Sequence, residues 1–432
     1  VKICVAGLWH LGTVTAACLA AGGHDVTGLD PDGDAIARLS MGSPPLFEPG
    51  LEDLVKGAMA AGRLRFTTDT SAAARDADVV WITYDTPVDD EDRADVESVV
   101  ARAAALFPYL RDGAMMLISS QLPVGSTCRL EDMFARAAGA RRVSFAYSPE
   151  NLRLGKAIDV FMHPDRIIAG VRSPADRRTL VALLAPFTDR IEWMSVESAE
   201  MTKHALNGFL ATSVAFINEI AAICEQVGAD AAEVERGLKT ESRIGPKAYL
   251  SPGGAFAGGT LARDVMFLSE LGHDRGVPTH LLASVKTSND AHRQWALRRV
   301  SDVLGGVNGR RVAVWGLTYK PGTDTLRRSS AIELCRALHD GGAHVRAHDP
   351  AVRQLPPELA STIHLASDPL AAADRADALV VATPWPDYRG IDAGEVAGRM
   401  SGDLVLDANR FLGATLGQHA GLRYLSVGKA TA

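Results

Sequence analysis

The chain has 432 residues, 47% of them apolar, and a formal net charge of −7 with acidic and basic residues mixed throughout. Such a length fits roughly two to four globular domains with proper cores. The absence of a basic stripe excludes nucleic acid and a membrane surface as expected partners and leaves small molecules.

No apolar run is read as approaching the ~20 residues that span a bilayer, and a strand pattern begins at once with no signal-type apolar region, so the chain reads as cytoplasmic. Five scattered cysteines (Cys4, Cys18, Cys128, Cys224, Cys335) form no CxxC pair. Their odd number argues against both a disulfide framework and a zinc site, and no metal is expected.

Short β-branched runs alternate with helical patterns from the start: KICVAGL, a helix through TAACLAAGG, HDVTGLD, DADVVWITY, GAMMLISS and VSFAYSPE. That alternation predicts a doubly wound parallel sheet. The stretch AEMTKHALNGFLATSVAFINEIAAICEQVG then repeats apolar residues every three or four positions and predicts one long helix. The first pattern restarts with GRRVAVWGLTYK, a helix through SSAIELCRALHDGG, and strands in AHVRAHDP, ALVVATP and DLVLDANR. The expected fold class is α/β, with two Rossmann-like doubly wound domains joined by a long central helix. The expected boundaries are residues 1–195, 196–295 and 296–432.

The first strand runs into GLWHLG, where a dinucleotide-binding turn would read G-x-G-x-x-G. Gly7 and Gly12 stand at the outer glycine positions, while Trp9 occupies the middle one, where the backbone must approach a pyrophosphate. His10 and Leu11 complete the turn. Asp30 ends the second strand about 20 residues on, placed to hold a ribose diol and to disfavour a 2′-phosphate, which points to NAD. The competing reading is a tight turn beside a solvated aspartate.

Longer stretches carry a resemblance: SPPLFEPGLEDLV, SPENLRLGKAIDVFMHPDRIIAG, RIGPKAYLSPGGAFAGGTLARDV, GLTYKPGTDTLRRSSAIEL and VVATPWPDY. In order along nearly the whole chain, they resemble the UDP-glucose/GDP-mannose 6-dehydrogenase family. The resemblance implies an NAD-binding domain, a helical dimerisation segment, a domain for a nucleotide-diphosphate sugar, and a homodimer. It also implies oxidation of the sugar's C6 alcohol to a carboxylate in two hydride transfers.

Several positions depart from that pattern. The family's catalytic cysteine falls in a GFGGSCxPKD-like loop, and here AFAGGTLARD places Thr260 there. Gln121 stands for a threonine associated with the catalytic water, and Leu154 for a second glutamate beyond Glu150. A V-G-T-P turn near the cofactor has become YDTP, introducing Asp85 before Thr86; with Trp9, this adds steric bulk and like charge near a pyrophosphate. Thr260 itself, following Gly258 and Gly259, reads as a helix N-cap in preference to a nucleophile.

Lys203 and Asn207 are four residues apart on the predicted helix and share one face, which alone is often only a solvated face. By resemblance they match the family's lysine and asparagine beside the reacting carbon, and Asp264 matches the aspartate that works with that lysine. Asp264 also reads as a first-turn aspartate favoured by the helix dipole. Arg243, Tyr249, Lys320 and Arg327 match positions near the sugar nucleotide, Arg243 reaching a neighbouring subunit; Gly258 belongs to a glycine-rich loop whose N–H groups face a ligand. The expected activity is therefore an NAD-dependent oxidation at C6 that performs one hydride step, ending in an aldehyde or in a transient oxidation such as epimerisation. The alternatives are a non-redox sugar-nucleotide-binding homologue with Trp9 in its cofactor pocket, and a two-step enzyme with rearranged residues.

Overall fold

The computed structural model describes residues 1–87, 89, 94–137, 139, 141–150, 152–257 and 259–429. The chain divides into two compact units, Val1–Ala205 and Leu206–Ala432, each built on one sheet.

In the first unit the strands are β1 (Lys2–Ala6), β2 (Asp25–Leu29), β3 (Leu64–Thr67), β4 (Val79–Ile82), β5 (Met115–Ile118), β6 (Ser144–Tyr147), β7 (Ile167–Gly170) and β8 (Ile191–Met194). They lie in the order β3-β2-β1-β4-β5-β6-β7-β8. β1 and β4 are almost wholly buried, as strands covered on both faces must be. Side-chain alternation feeds two cores: Ile3 and Val5 enter one, Cys4 and Ala6 the other.

The sheet departs from the expected parallel arrangement at one place. β6 and β7 pair antiparallel, with Tyr147 opposite Gly170. The chain therefore leaves β6 and enters β7 at the same edge of the sheet, the carboxyl edge of β6, where ligands of open α/β sheets bind.

The second unit carries β9 (Arg311–Trp315), β10 (His344–His348), β11 (His364–Leu365), β12 (Ala378–Val381), β13 (Leu404–Asp407) and β14 (Arg423–Leu425), all parallel. Their order is β11-β10-β9-β12-β13-β14. Both units thus share the 3-2-1-4-5-6 arrangement of a Rossmann sheet, extended in the first by β7 and β8.

The predicted long helix runs over Val196–Val227, 32 residues. It corrects one expectation: it contains an 18-residue window of mean hydropathy 1.4, long and apolar enough by length and composition to cross a membrane. Its apolar residues are spaced around the helix and not contiguous, so no unbroken apolar run marks it in the sequence. Of that window, 44% is buried inside the protein.

The first helix, His10–Ala21, is buried from Gly12 to Ala20 and is built of small residues because it lies close against the sheet. A Cβ at Gly12 would stand 1.7 Å from the Gly7 carbonyl oxygen, so no side chain fits there. Gly33, at the start of the next helix, faces open space. Gly12→Ala is expected to cost about 3 kcal/mol in chemical denaturation as an overpacked contact, whereas Gly33→Ala gains about 0.5 kcal/mol by restricting the unfolded chain.

Candidate active site

β1 enters its turn through Gly7, whose φ of +98 belongs to glycine and whose Cβ would collide with Tyr84 backbone atoms at 2.7 Å. Thr83 fixes the turn from β4, its hydroxyl donating to the Gly7 carbonyl at 2.8 Å. Trp9 is the N-cap of the first helix and offers no side-chain cap. Its side chain is 50% exposed, so it is neither packed into the core nor enclosed in a pocket. His10 and Leu11, both half-buried, open the helix, where unpaired N–H groups and the helix dipole favour an anion.

Asp30 stands beside this turn. Its Oδ2 accepts from the Leu8 N–H at 2.8 Å and its Oδ1 from Asp32 N–H at 3.0 Å. A carboxylate has about four acceptor positions, so two protein donors leave capacity for a diol. Asp85 is exposed, and Thr86 is buried with its hydroxyl on the Gln121 carbonyl at 2.7 Å. The glycine cradle and the half-used aspartate fit a dinucleotide.

The second unit repeats this turn with one decisive difference. Gly316 has a φ of +89 and a Cβ position blocked by Thr383, and Asp349 accepts from the Leu317 N–H at 2.7 Å as Asp30 does from Leu8. Asp349, however, also takes the Thr318 N–H, the Thr318 hydroxyl and the Trp385 indole N–H, and is only 2% exposed. Its acceptor capacity is spent inside the protein. The sequence reading did not single out Asp349, although HDP repeats the strand-ending position of Asp30.

Near the start of the long helix, one polar face meets the strand ends. Glu200 accepts from the backbone of Gly125 at 2.6 Å and Thr127 at 2.9 Å, and from the Thr127 hydroxyl at 2.6 Å. The His204 Nε2 lies 2.8 Å from the Leu122 carbonyl. Lys203 is buried, with Nζ donating to the Glu150 carbonyl at 2.6 Å and standing 3.8 Å from Glu150 Oε1. Glu150 Oε2 accepts from Leu152 N–H at 2.8 Å. One turn on, Asn207 is buried and its amide donates to the fully buried Asp264 carboxylate.

Thr260 corrects the cap expectation. The helix Thr260–Asp274 is capped by Gly259, with φ +107, because the backbone swings through a conformation that only glycine adopts freely just before the first turn. Thr260 is the first helical residue and exposed, and among the described residues its hydroxyl has no hydrogen-bond partner. Gly258 lies outside the described residues. Arg243 is exposed and ion-paired with Glu241 at 3.0 Å; Tyr249 is 57% exposed, Lys320 half-buried and Arg327 exposed. Burial pushes the thiols of Cys4, Cys18 and Cys335 up to about 12, helped at Cys18 by the Glu48 charge, so none of these is a nucleophilic thiolate at neutral pH.

Glu48 was missed altogether. This buried carboxylate takes the His10 ring at 2.9 Å and the backbone N–H groups of Gly155 and Ala157 at 2.8 Å each. In the sequence it stands inside SPPLFEPGLEDLV, a stretch that carries the resemblance but does not by itself mark Glu48 as buried.

Residues 1–188 match the NAD binding domain of the UDP-glucose/GDP-mannose dehydrogenase family, 197–291 its central domain and 313–414 its UDP binding domain. The chain is 34% identical to a UDP-glucose 6-dehydrogenase of Pseudomonas aeruginosa, over 100% of this chain and 98% of that protein. It is 35% identical to one of Rhizobium meliloti, over 99% of each. A solved UDP-glucose dehydrogenase from Pyrobaculum islandicum superposes with a TM-score of 0.85 at 32% identity, covering 90% of this chain and 91% of that one.

The two aspartates set up a paired test by titration calorimetry with NAD. Asp30→Ala is expected to weaken NAD binding at least tenfold, the loss of a charged acceptor. Asp349→Asn is expected to leave NAD affinity unchanged while lowering stability by about 2 kcal/mol, because its donors are all internal.

Proposed function

This chain belongs to the UDP-glucose/GDP-mannose dehydrogenase family, and on that premise we propose that it oxidises the C6 alcohol of a nucleoside-diphosphate hexose by one hydride transfer. It is an NAD-dependent oxidoreductase acting on a CH–OH group of a nucleotide sugar; the position, the single step and the residue roles below are our own reading. The observation that carries the single step is Thr260, an exposed hydroxyl without a hydrogen-bonded base among the described residues. A threonine hydroxyl is far less acidic than a thiol and needs such a base to attack a carbonyl.

NAD, when bound, supplies the hydride acceptor. Gly7, Trp9, His10, Leu11 and Gly12 form its turn, with Asp30 on the ribose and Asp85 and Thr86 at the neighbouring strand end. The buried Lys203 holds or receives the proton of the C6 hydroxyl as the C–H bond gives up its hydride; Asn207, Asp264 and Glu150 order the polar groups around that step. The products are a C6 aldehyde, NADH and a proton, or a sugar altered by a transient oxidation. Arg243, Tyr249, Lys320, Arg327 and the loop through Gly258 are assigned to the sugar nucleotide. The corresponding domains are 1–195, 196–295 and 296–432. The non-redox alternative is not favoured, since the half-exposed Trp9 closes no pocket.

The long helix supports a homodimer. Phe209, Phe216 and Ile223 recur every seven residues and are exposed, followed by exposed Val227, an apolar seam suited to a second copy of the chain. Phe216→Asp is expected to convert a dimer to a monomer by light scattering; an unchanged mass would remove this seam from the interface.

The functional test is the number of NADH molecules formed per sugar consumed, with UDP-, GDP- and dTDP-hexoses. One is expected, with an aldehyde product, and Thr260→Cys alone still yields no carboxylate because Gln121 and Leu154 remain. Two NADH per sugar would overturn the single-step reading, and none, without NAD binding, the redox reading.

A further inference from the structure

We propose that Glu48 is a positioning residue that ties the opening of the cofactor helix to the segment beginning at Glu150, so that NAD and the sugar nucleotide tighten each other's binding. The proposal rests on the functional reading above. The whole tie lies within the first unit and is made by a single carboxylate.

The Glu48 side chain is 1% exposed. Its Oε2 receives His10 Nε2 at 2.9 Å and Gly155 N–H at 2.8 Å, and its Oε1 receives Ala157 N–H at 2.8 Å. A buried carboxylate with three donors is a strong anchor, because removing it would leave each donor unpaired in the interior. His10 is the first residue of the helix whose N-terminus a pyrophosphate would meet. Gly155 and Ala157 close the segment that Glu150 opens, and Glu150 is itself held by Lys203.

That segment is therefore pinned at two points with different owners. At Glu150 the pin is Lys203, assigned to the reacting alcohol. At 155–157 the pin is Glu48, shared with the cofactor turn. The two backbone bonds alone would make Glu48 a structural anchor of one loop. The His10 ring makes it a bridge, since a side chain from the helix opening has turned inward to the same oxygen that holds Gly155. Anything that orders the helix opening orders the segment, and by linkage the reverse holds with the same factor.

The experiment uses the full chain and titration calorimetry with NAD, with UDP-glucose as the sugar-nucleotide probe, each alone and each at saturation of the other. The unaltered protein is expected to bind each ligand more tightly in the presence of the other. His10→Leu leaves both backbone bonds of Glu48 in place but removes the bridge; it is expected to abolish the mutual tightening, weaken NAD about tenfold, and leave UDP-glucose binding alone unchanged. His10→Gln keeps an N–H donor toward Glu48 and is expected to restore the coupling, a rescue that a purely structural role would not give. Should His10→Leu fail to fold, Glu48→Gln, with the same shape and no charge, is expected to show the same loss. Mutual tightening that survives either loss, or its absence from the unaltered protein that still binds NAD, overturns the inference. Failure of that protein to bind NAD at all overturns the functional reading instead.

Discussion

Three consecutive polar contacts from one face of the long helix hold the carboxyl edge of the first sheet. Glu200 caps the helix Ser126–Ala137 that follows β5, His204 holds the loop before it, and Lys203 takes the carbonyl of Glu150 after β6. Each is buried, so each exchange of a hydrated group for an internal partner costs free energy unless the partner is well placed. The spacing of 200, 203 and 204 is the helical repeat, which lets a single rigid element address two separate loops at once. The loops have little regular structure of their own at this edge; the helix supplies it.

Lys203 and Asn207 are each held by a partner of their own. Lys203 donates to the Glu150 carbonyl and Asn207 to the Asp264 carboxylate, contacts in which the Thr260 side chain takes no part. Thr260 sits at the mouth of a helix whose start is fixed by the conformation of Gly259.

Much of this was legible in the sequence because it depended on local rules. The strand–Gly7–helix turn, the distance to Asp30 and the four-residue spacing of Lys203 and Asn207 are set by backbone geometry, and the structure places them accordingly. What was not legible depended on partners far apart in the chain. Glu48 acquires meaning only when residues 107 and 109 positions away deliver their N–H groups to it. The β6–β7 reversal likewise left no local mark, since an antiparallel strand in a buried sheet reads the same as a parallel one. The Thr260 cap was misjudged by one residue because a glycine with a positive φ performed the turn that an N-cap side chain would otherwise have supported.

The duplicated turn raises a question of address. A chain with two Rossmann-like sheets of the same strand order offers a dinucleotide two doors, and a ligand present at high concentration in a cell would test both. Trp385 and Thr318 bolt one of them from within by occupying the carboxylate of Asp349. The matching position in the second unit therefore offers a ligand a carboxylate already occupied by the protein's own donors. Two turns of one geometry thus present different chemistry to solvent: a carboxylate with acceptor positions to spare at Asp30, and one satisfied from within at Asp349.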